Sequence, residues 1–381
     1  MREGAVISQS FSKPVRVAHF LLHSSLIHSP PNKAIITALL EQGVQVDVFA
    51  PGMAVGVDYN GAVRTGPAIY SWRWLAKNAW KPRWRSYTSF SGTSEEPVAI
   101  VAALSAIHRR PSFILADEIR SDLYYGTRSE SWKKLCRWGY RQARLNIVND
   151  DARLDLLREY ASLPSSARLI VYPGCYHKPP TPPADYRHQL RRQWGIPDDA
   201  FVVGASGRFD LDLGADLLFE ALASDHSIHA VIQPLSYNPY ESYLVNYIAR
   251  LANIYVEPKR LGWEESWLSA VGVDVGMAFY RQQASQFQKM GISSNRLCMF
   301  LAMGVPVIGN RQPSYEFLER FGCGLMVSDA QEFKQALDYV RRNLASMQQA
   351  CRVCFEEYIM PPSRFSSLAR AIAAVTAPRS S

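Results

Sequence analysis

Short apolar strands and amphipathic helical segments alternate along this sequence, and that alternation restricts the fold more than any other feature. Residues 15–22 are an apolar, β-branched run, residues 35–40 repeat apolar side chains at helical spacing, and residues 44–48 alternate apolar with polar side chains. Further strands of the first half are predicted at 113–115, 145–148 and 169–172, and helices at 98–107, before 143 and at 153–160. Strands joined by helices run parallel, and helices cover both faces of such a sheet. The pattern therefore predicts an α/β fold.

A proline-rich segment divides this pattern into two halves. Residues 178–183 read KPPTPP, and four prolines in six residues cannot continue a helix but favour a stiff, extended linker. Beyond the linker, strands are predicted at 201–205, 228–232, 254–256, 273–278, 306–309 and 325–327, and helices at 214–223 and 295–303.

The predicted architecture is two doubly wound, Rossmann-like domains in tandem. We expect an N-terminal domain at residues 1–177, a linker at 178–185 and a second domain at 186–360, with a C-terminal helix at about 361–381 completing the first domain. A chain of 381 residues has the length of two domains. Ligands of such sheets bind outside the carboxyl ends of the strands, so the cleft between the facing domains is the expected active site.

Composition narrows the class of partner and the compartment. With 48% hydrophobic residues the chain is globular rather than disordered, and a net charge of +8 favours an anionic partner. No apolar run is long enough for a spanning helix, and the run at 15–22 carries Arg16 and His19, unlike a signal peptide. The six cysteines are scattered, which is typical of reduced thiols. We therefore expect a cytoplasmic protein without a metal site.

Two segments of the second half carry a specific resemblance. Residues 186–222 read YRHQLRRQWGIPDDAFVVGASGRFDLDLGADLLFEAL, and residues 291–318 read GISSNRLCMFLAMGVPVIGNRQPSYEFL. In order and spacing they resemble the nucleotide-binding domain of GT-B fold glycosyltransferases of the retaining, sugar-nucleotide-dependent type, similar to glycosyltransferase family 4. The resemblance implies two Rossmann-like domains facing across a cleft. It also implies transfer of a sugar from a UDP- or GDP-linked donor with retention of configuration and without a metal or other cofactor.

The donor residues follow from the need to hold a diphosphate and to stabilise its departing charge. A glycine followed by Arg208 ends a predicted strand, where a guanidinium can bind phosphate oxygens in pairs, and the resemblance makes it the diphosphate arginine. Serine hydroxyls and free amides at the start of the helix predicted from residue 295 form an anion cradle. The predicted donor set is Gly207, Arg208, Tyr280, Arg281, Ser293, Ser294, Asn295, Arg296 and Glu316.

Three positions depart from the resembling family. Leu213 stands where a second phosphate cation, a lysine, is expected, Met299 replaces a glutamate that binds the nucleotide ribose, and Gly291 replaces an acid eight residues earlier. Glu316 is a candidate substitute for the ribose glutamate, and the polar loop 280–285 would hold the donor sugar. The alternative function is a catalytically degenerate GT-B protein that binds a nucleotide sugar, or assists an active partner, without turnover.

Candidate acceptor residues lie in the first half. Asp117 and Glu118 follow the strand at 113–115, where a carboxylate can orient an acceptor hydroxyl or remove its proton. Capping of the following segment is the alternative role of these acids. His23 and His28 follow the first strand and are weaker candidates for the same site.

A tryptophan-rich basic stretch is the other distinctive feature. Residues 71–90 hold four of the nine tryptophans and five cations without an acid, and residues 132–144 are similarly basic and aromatic. Tryptophan with lysine or arginine suits the headgroup region of an anionic bilayer and hence a lipid-linked glycan or exopolysaccharide precursor as acceptor. Aromatic packing beneath a loop and stacking on single-stranded nucleic acid are the alternatives, and no nucleic-acid module accompanies the stretch. The predicted acceptor or membrane residues are Trp72, Trp74, Trp80, Lys81, Arg83 and Trp84.

Overall fold

The computed structural model describes residues 14–23, 29–52, 62–119, 129–234, 251–259, 261–282 and 284–377. Within these ranges the chain forms two parallel sheets, one of seven strands and one of six, with helices packed on them. The fold is therefore α/β with two doubly wound sheets, as the alternating pattern predicts.

The first sheet has the strand order β3-β2-β1-β4-β5-β6-β7. Its strands are β1 (Arg16–Phe20), β2 (Gln45–Ala50), β3 (Val63–Pro67), β4 (Ser89–Thr93), β5 (Ser112–Ala116), β6 (Leu145–Val148) and β7 (Leu169–Val171). Its helices are α1 (Pro30–Glu41), α2 (Trp72–Asn78), α3 (Glu95–His108), α4 (Glu130–Gln142) and α5 (Ala152–Ala161). Strands β4 and β5 are buried along their whole length because neighbouring strands flank them and helices cover both faces.

The second sheet has the order β10-β9-β8-β11-β12-β13. Its strands are β8 (Phe201–Gly207), β9 (Ile228–Pro234), β10 (Ile254–Val256), β11 (Val275–Ala278), β12 (Val307–Asn310) and β13 (Gly324–Val327). The helices of this half are α6 (Tyr186–Trp194), α7 (Ala215–Ser224), α8 (Trp263–Ser269), α9 (Asn295–Ala302), α10 (Glu316–Phe321) and α11 (Ala330–Cys354). In both sheets the strand order reverses direction beside the first strand, so loops on either side of β1 and of β8 diverge and leave a crevice.

The last helix, α12 (Pro362–Thr376), returns to the first sheet. It packs against α1, and the Gln42 side-chain amide donates to the carbonyl oxygen of Ala369 at 2.9 Å. The His177 ring, at the start of the proline-rich linker, stacks on Phe365 of this helix with ring centroids 3.7 Å apart. The C-terminal segment thereby ties the second half of the chain to the first.

Two expectations from the sequence concern reduced cysteines and the absence of a membrane-spanning helix. All six cysteines are free and buried. In the described part of the chain, no helix combines the length and the apolar character that crossing a bilayer requires.

Candidate functional site

A cleft with a cavity volume of about 380 Å³ lies at the carboxyl ends of the second sheet's strands. Six of the residues predicted from sequence line it: Gly207, Arg208, Tyr280, Asn295, Arg296 and Glu118. The first five belong to the second half of the chain, and Glu118 reaches the cleft from the end of β5 in the first. The cleft therefore has walls from both sheets, as the position of ligands in doubly wound folds leads one to expect.

Gly207 and two arginines form the cationic end of the cleft. The Gly207 backbone has φ +91°, a left-handed conformation that favours glycine, and the Arg296 guanidinium donates to the carbonyl oxygen of Arg208 at 2.9 Å. A Cβ at position 207 would lie 2.8 Å from Nη2 of Arg296, so a side chain there would crowd the guanidinium. The glycine thus makes room for the Arg296 guanidinium beside the backbone of Arg208.

Arg208 is held in place by carboxylates beside the cleft. Its guanidinium contacts Asp210 and lies 3.4 Å from Asp212, and about half of its side chain is exposed. A half-exposed cation on such partners keeps its charge and its orientation while remaining open to a ligand. An anionic ligand in the cleft would meet a guanidinium that is already oriented.

The hydroxyl groups of the serines before α9 make hydrogen bonds within the protein. The Ser294 hydroxyl caps the helix by accepting from the Leu297 amide at 3.1 Å and lies 2.8 Å from the Tyr280 hydroxyl. The Ser293 hydroxyl donates to the Met290 carbonyl, and both serines are buried away from the cleft lining. Of the predicted cradle, Asn295 and Arg296 reach the cleft.

Two residues of the cleft lining each carry a buried polar atom. Oδ1 of Asn295 and Nε1 of Trp267 are inaccessible to solvent, and neither finds a hydrogen-bond partner within the ranges that the structure describes. Buried polar groups in native proteins are paired in the great majority of cases.

The position of the missing ribose carboxylate is neutral. Met299 lines the cleft, is 2% exposed, and its sulfur lies 3.7 Å from the Ser266 hydroxyl, which also lines the cleft. Leu213, at the position of the expected lysine, lines it too. Glu316 is exposed at the start of α10 and lies outside the cleft lining.

Arg281 also lies outside the cleft lining. Its guanidinium binds the Asp216 carboxylate, with both oxygens at 2.9 Å, and its backbone amide donates to the Asp212 carbonyl oxygen at 2.9 Å. The side chain of Arg281 is therefore paired with α7, and its backbone is bonded to the loop that follows Arg208.

The two candidate acceptor acids have different surroundings. Asp117 is half-buried, accepts from the Asn149 amide, and its carbonyl oxygen accepts from Arg153 at 2.6 Å. Burial, together with the neighbouring Glu118 carboxylate, raises the pKa of Asp117 to about 6. Glu118 is the member of the pair that lines the cleft. His23 is exposed, and His28 lies outside the described residues.

The raised pKa of Asp117 makes stability depend on pH. Because the pKa in the folded protein exceeds the ordinary value of 3.8, the folded state binds this proton more tightly than the unfolded state does. The charged form of Asp117 therefore lowers the stability most above pH 6, and this cost shrinks as the pH falls through 6 toward 3.8. Between pH 7 and pH 5 we expect the free energy of unfolding of wild type to rise by about 1 kcal/mol relative to Asp117→Asn in urea denaturation. A difference between the two proteins that does not change with pH would contradict this assignment.

The tryptophans of residues 71–90 divide between core and surface. Trp84 is fully buried and its indole N–H donates to the Asn78 carbonyl oxygen at 2.7 Å, while Trp74 is half-buried against it. Trp84 therefore belongs to the core, which corrects its prediction as a membrane contact. Trp72 and Trp80 are 46% and 72% exposed, and Lys81 and Arg83 are exposed as well.

The sequence did not single out the residues of the cleft wall that α8 provides. Trp263, Ser266 and Trp267 line the cleft, and the two indole rings contact one another edge to face at 6.1 Å. Their signal in the sequence is an aromatic pair four residues apart, just after the strand β10. The same spacing also occurs in helices that bury both rings, so it does not distinguish a cleft wall from a core.

Comparison with known proteins establishes the fold. No protein-family model matches the chain, and no curated protein is significantly similar to it in sequence. Among solved structures, Anabaena HepE in complex with UDP is similar with a TM-score of 0.75 at 15% identity, covering 94% of this chain and 100% of that one. A glycosyltransferase from Rickettsia africae gives 0.74 at 13% identity over 97% and 100%. Sucrose-phosphate synthase from Thermosynechococcus elongatus gives 0.70 at 16% over 95% and 98%. The chain has the two-domain GT-B fold that these structures share.

Proposed function

We propose that this protein transfers a sugar from a nucleotide sugar to a hydroxyl group of an acceptor. The observation that carries the proposal is that Arg208 and Arg296 line one cleft at the carboxyl ends of the strands, with the Arg296 guanidinium bonded to the Arg208 backbone beside a left-handed glycine. The crystal structures of HepE with UDP and with UDP-glucose support a uridine diphosphate donor, because HepE has the same fold.

The roles of the residues follow from where charge develops. As the sugar leaves, negative charge builds on the diphosphate, and Arg208 and Arg296 are positioned to stabilise it without reorganisation. Asn295 lines the cleft beside Arg296. Glu118 extends into the cleft from the first sheet, where its carboxylate would orient the acceptor hydroxyl or accept its proton. Retention of configuration is part of the proposal through the family resemblance.

We further propose that the acceptor is lipid-linked and is reached from an anionic membrane surface. Three of the large hydrophobic side chains most exposed in the described structure fall within twelve residues of each other: Ile69, Trp72 and Trp80. The edge contact of Trp72 with Trp132 at 5.2 Å joins this surface to the second basic segment. Aromatic side chains flanked by cations bind where headgroups meet acyl chains.

Replacing this surface should release the protein from anionic vesicles. The triple change Trp80→Ser, Lys81→Ser, Arg83→Ser removes the most exposed indole and two cations, each cation being worth about 1 kcal/mol near an anionic surface. We expect wild type to sediment with phosphatidylglycerol vesicles at low salt but not with phosphatidylcholine vesicles, and the triple variant to bind at least thirtyfold more weakly.

A matched control exists on the second domain. Tyr339 is an exposed aromatic residue on α11, followed closely by exposed Arg341 and Arg342. The triple change of these three residues to serine should leave sedimentation unaltered. Equal losses in both triple variants, or wild type that stays in solution, would remove the membrane from the proposal.

A thermal-shift screen against nucleotides and nucleotide sugars tests the donor. A ligand that binds only the folded protein raises its melting temperature, so the true donor should stand out from unrelated nucleotides. Transfer or slow hydrolysis of that donor supports an enzyme. Tight binding of the donor without turnover, whichever acceptor is added, would favour the degenerate alternative. The neutral residues Met299 and Leu213 would then account for the loss of activity.

A further inference from the structure

A carboxylate of the first domain occupies the position beside Gly291. Asp150 follows β6, and its Oδ2 accepts from the Ile292 amide at 2.6 Å while Oδ1 accepts from the Ala152 amide at 2.7 Å. A Cβ on Gly291 would lie 1.9 Å from Oδ2, and the glycine has φ +41°. The absence of a side chain at position 291 thus makes room for the carboxylate of Asp150.

Arg153, one turn further on, holds the preceding loop from the same domain. Its guanidinium donates to the carbonyl oxygens of Gln286 at 3.2 Å and Lys289 at 3.1 Å, and lies 3.1 Å from the Met290 sulfur. Arg153 is 4% exposed, so these contacts are dry. Hydrogen bonds from a buried guanidinium to carbonyl oxygens are strong and directional.

Gly174 closes the contact from the other side. Its amide donates to the Ile292 carbonyl oxygen at 2.8 Å, and a Cβ on it would lie 2.0 Å from the carbonyl oxygen of Ser293. The backbone of Ile292 is therefore bonded to the first domain through both its N–H and its C=O. The segment 286–293 is clamped along its length.

This segment leads directly into the cleft. Residue 294 caps α9 and contacts the Tyr280 hydroxyl, and the next two residues, Asn295 and Arg296, line the cleft. A change in the turn at 290–294 would rotate or shift the start of the helix, and with it both side chains. The first domain thereby bears on the donor end of the second.

We propose that Asp150 is a positioning residue for the donor site, whose carboxylate takes the place of the absent side chain at Gly291 and fixes the 290–294 turn that presents Asn295 and Arg296. The identity of the ligand as a nucleotide sugar rests on the proposed function, whereas the contact of Asp150 with the turn does not. A carboxylate accepts from both amides, whereas a carboxamide accepts from one and turns its own N–H groups toward the other. Donor affinity then depends on the first domain being docked.

Hydrogen exchange measured by mass spectrometry tests the contact without a ligand. In Asp150→Asn we expect the amides of residues 286–298 to exchange at least tenfold faster than in wild type, since the turn loses one of its anchors. The control Asp151→Asn removes the same charge from an exposed neighbour and should exchange like wild type. Unchanged exchange in Asp150→Asn would overturn the proposal. Gly291→Ala disrupts the same contact from the other side and should reproduce the effect if Asp150→Asn folds poorly.

Titration with UDP tests the consequence for binding. We expect a Kd about tenfold higher for Asp150→Asn than for wild type at pH 7, and no change for Asp151→Asn. An unchanged Kd in Asp150→Asn would overturn the positioning role. If wild type does not bind UDP, the proposed function fails, and the exchange result alone then decides whether Asp150 holds the turn.

The ratio of the two Kd values should also depend on pH. Burial raises the pKa of Asp150 to about 6, opposed by the amides of Ala152 and Ile292. Four ionisable groups of the described structure face the Asp150 carboxyl. Asp151 and Arg153 lie next to it in the first domain, and Tyr358 and Cys298 lie across the interface. At pH 5 the protonated carboxyl of wild type, like the carboxamide, accepts from one amide, so the ratio should fall toward one. A merely structural defect would leave the ratio constant.

Discussion

Arg208→Ala should lower kcat/KM for sugar transfer by about two to three orders of magnitude. The guanidinium lies in the cleft with Arg296 beside it, and a preorganised charge stabiliser of this kind contributes about 2 to 4 kcal/mol to the transition state. Because half of the Arg208 side chain is exposed, its loss should leave folding intact. The measurement is steady-state kinetics with the donor that the thermal-shift screen identifies, alongside circular dichroism.

The control for this change is Arg341→Ala. Arg341 lies on α11, pairs with Asp225 and is similarly exposed, but it does not line the cleft. It should retain the turnover of wild type. Equal rates for Arg208→Ala and Arg341→Ala would remove Arg208 from the site.

Glu118→Gln should lower kcat about a hundredfold with little change in the KM for the donor. Glu118 lines the cleft from the end of β5, in the half of the chain that does not supply Arg208 and Arg296. General-base assistance is worth about two to four orders of magnitude in rate, and glutamine keeps the shape but loses the charge. Single-turnover kinetics would separate this effect on chemistry from product release.

Glu159→Gln serves as the matched change in the same domain. Glu159 is exposed on α5 and outside the cleft lining. We expect no change in kcat there. A normal kcat in Glu118→Gln would assign the acceptor's proton to another group or to water, and a raised donor KM alone would place Glu118 at the donor instead.

The sequence predicts most of the buried strands because their apolar runs are short and are bounded by turns. Strand β6 spans Leu145–Val148 and strand β10 Ile254–Val256, as predicted. Strand β4, Ser89–Thr93, escaped prediction although it is central and fully buried. Its sequence, SFSGT, is polar and small, and it is buried because β1 and β5 pair with it on either side. Such burial is tertiary and leaves no periodic signal.

The tryptophan stretch shows the same limit at the surface. Composition alone treats Trp80 and Trp84 as equivalent, four residues apart between cations. The turn at 82–86 directs Trp84 onto Phe20 and Phe49, with ring centroids 5.9 and 5.2 Å away, and leaves Trp80 outside. Which indole is exposed depends on that short turn.

The candidate site divides in a similar way. Gly207, Arg208 and Arg296 could be singled out from the sequence and line the cleft. Glycine permits a left-handed backbone and arginine offers a permanent positive charge, and both properties can be read from the residue type. The role of Asp150 was not predictable, because it depends on the contact of two segments more than 140 residues apart in sequence. A departure from a motif, here at Gly291, can thus reflect a partner supplied from elsewhere in the fold.

Calorimetric titration of wild type with UDP tests the central claim, that the cleft at Arg208 and Arg296 binds a nucleoside diphosphate. We predict binding at one site per chain, weakened at least tenfold in Arg208→Ala and in Arg296→Ala and unchanged in Arg341→Ala. GDP is titrated in parallel, because we expect the cations to contact the diphosphate rather than the base. Absence of binding of either nucleotide to folded wild type at millimolar concentration, or binding that survives both cleft changes, would contradict the account.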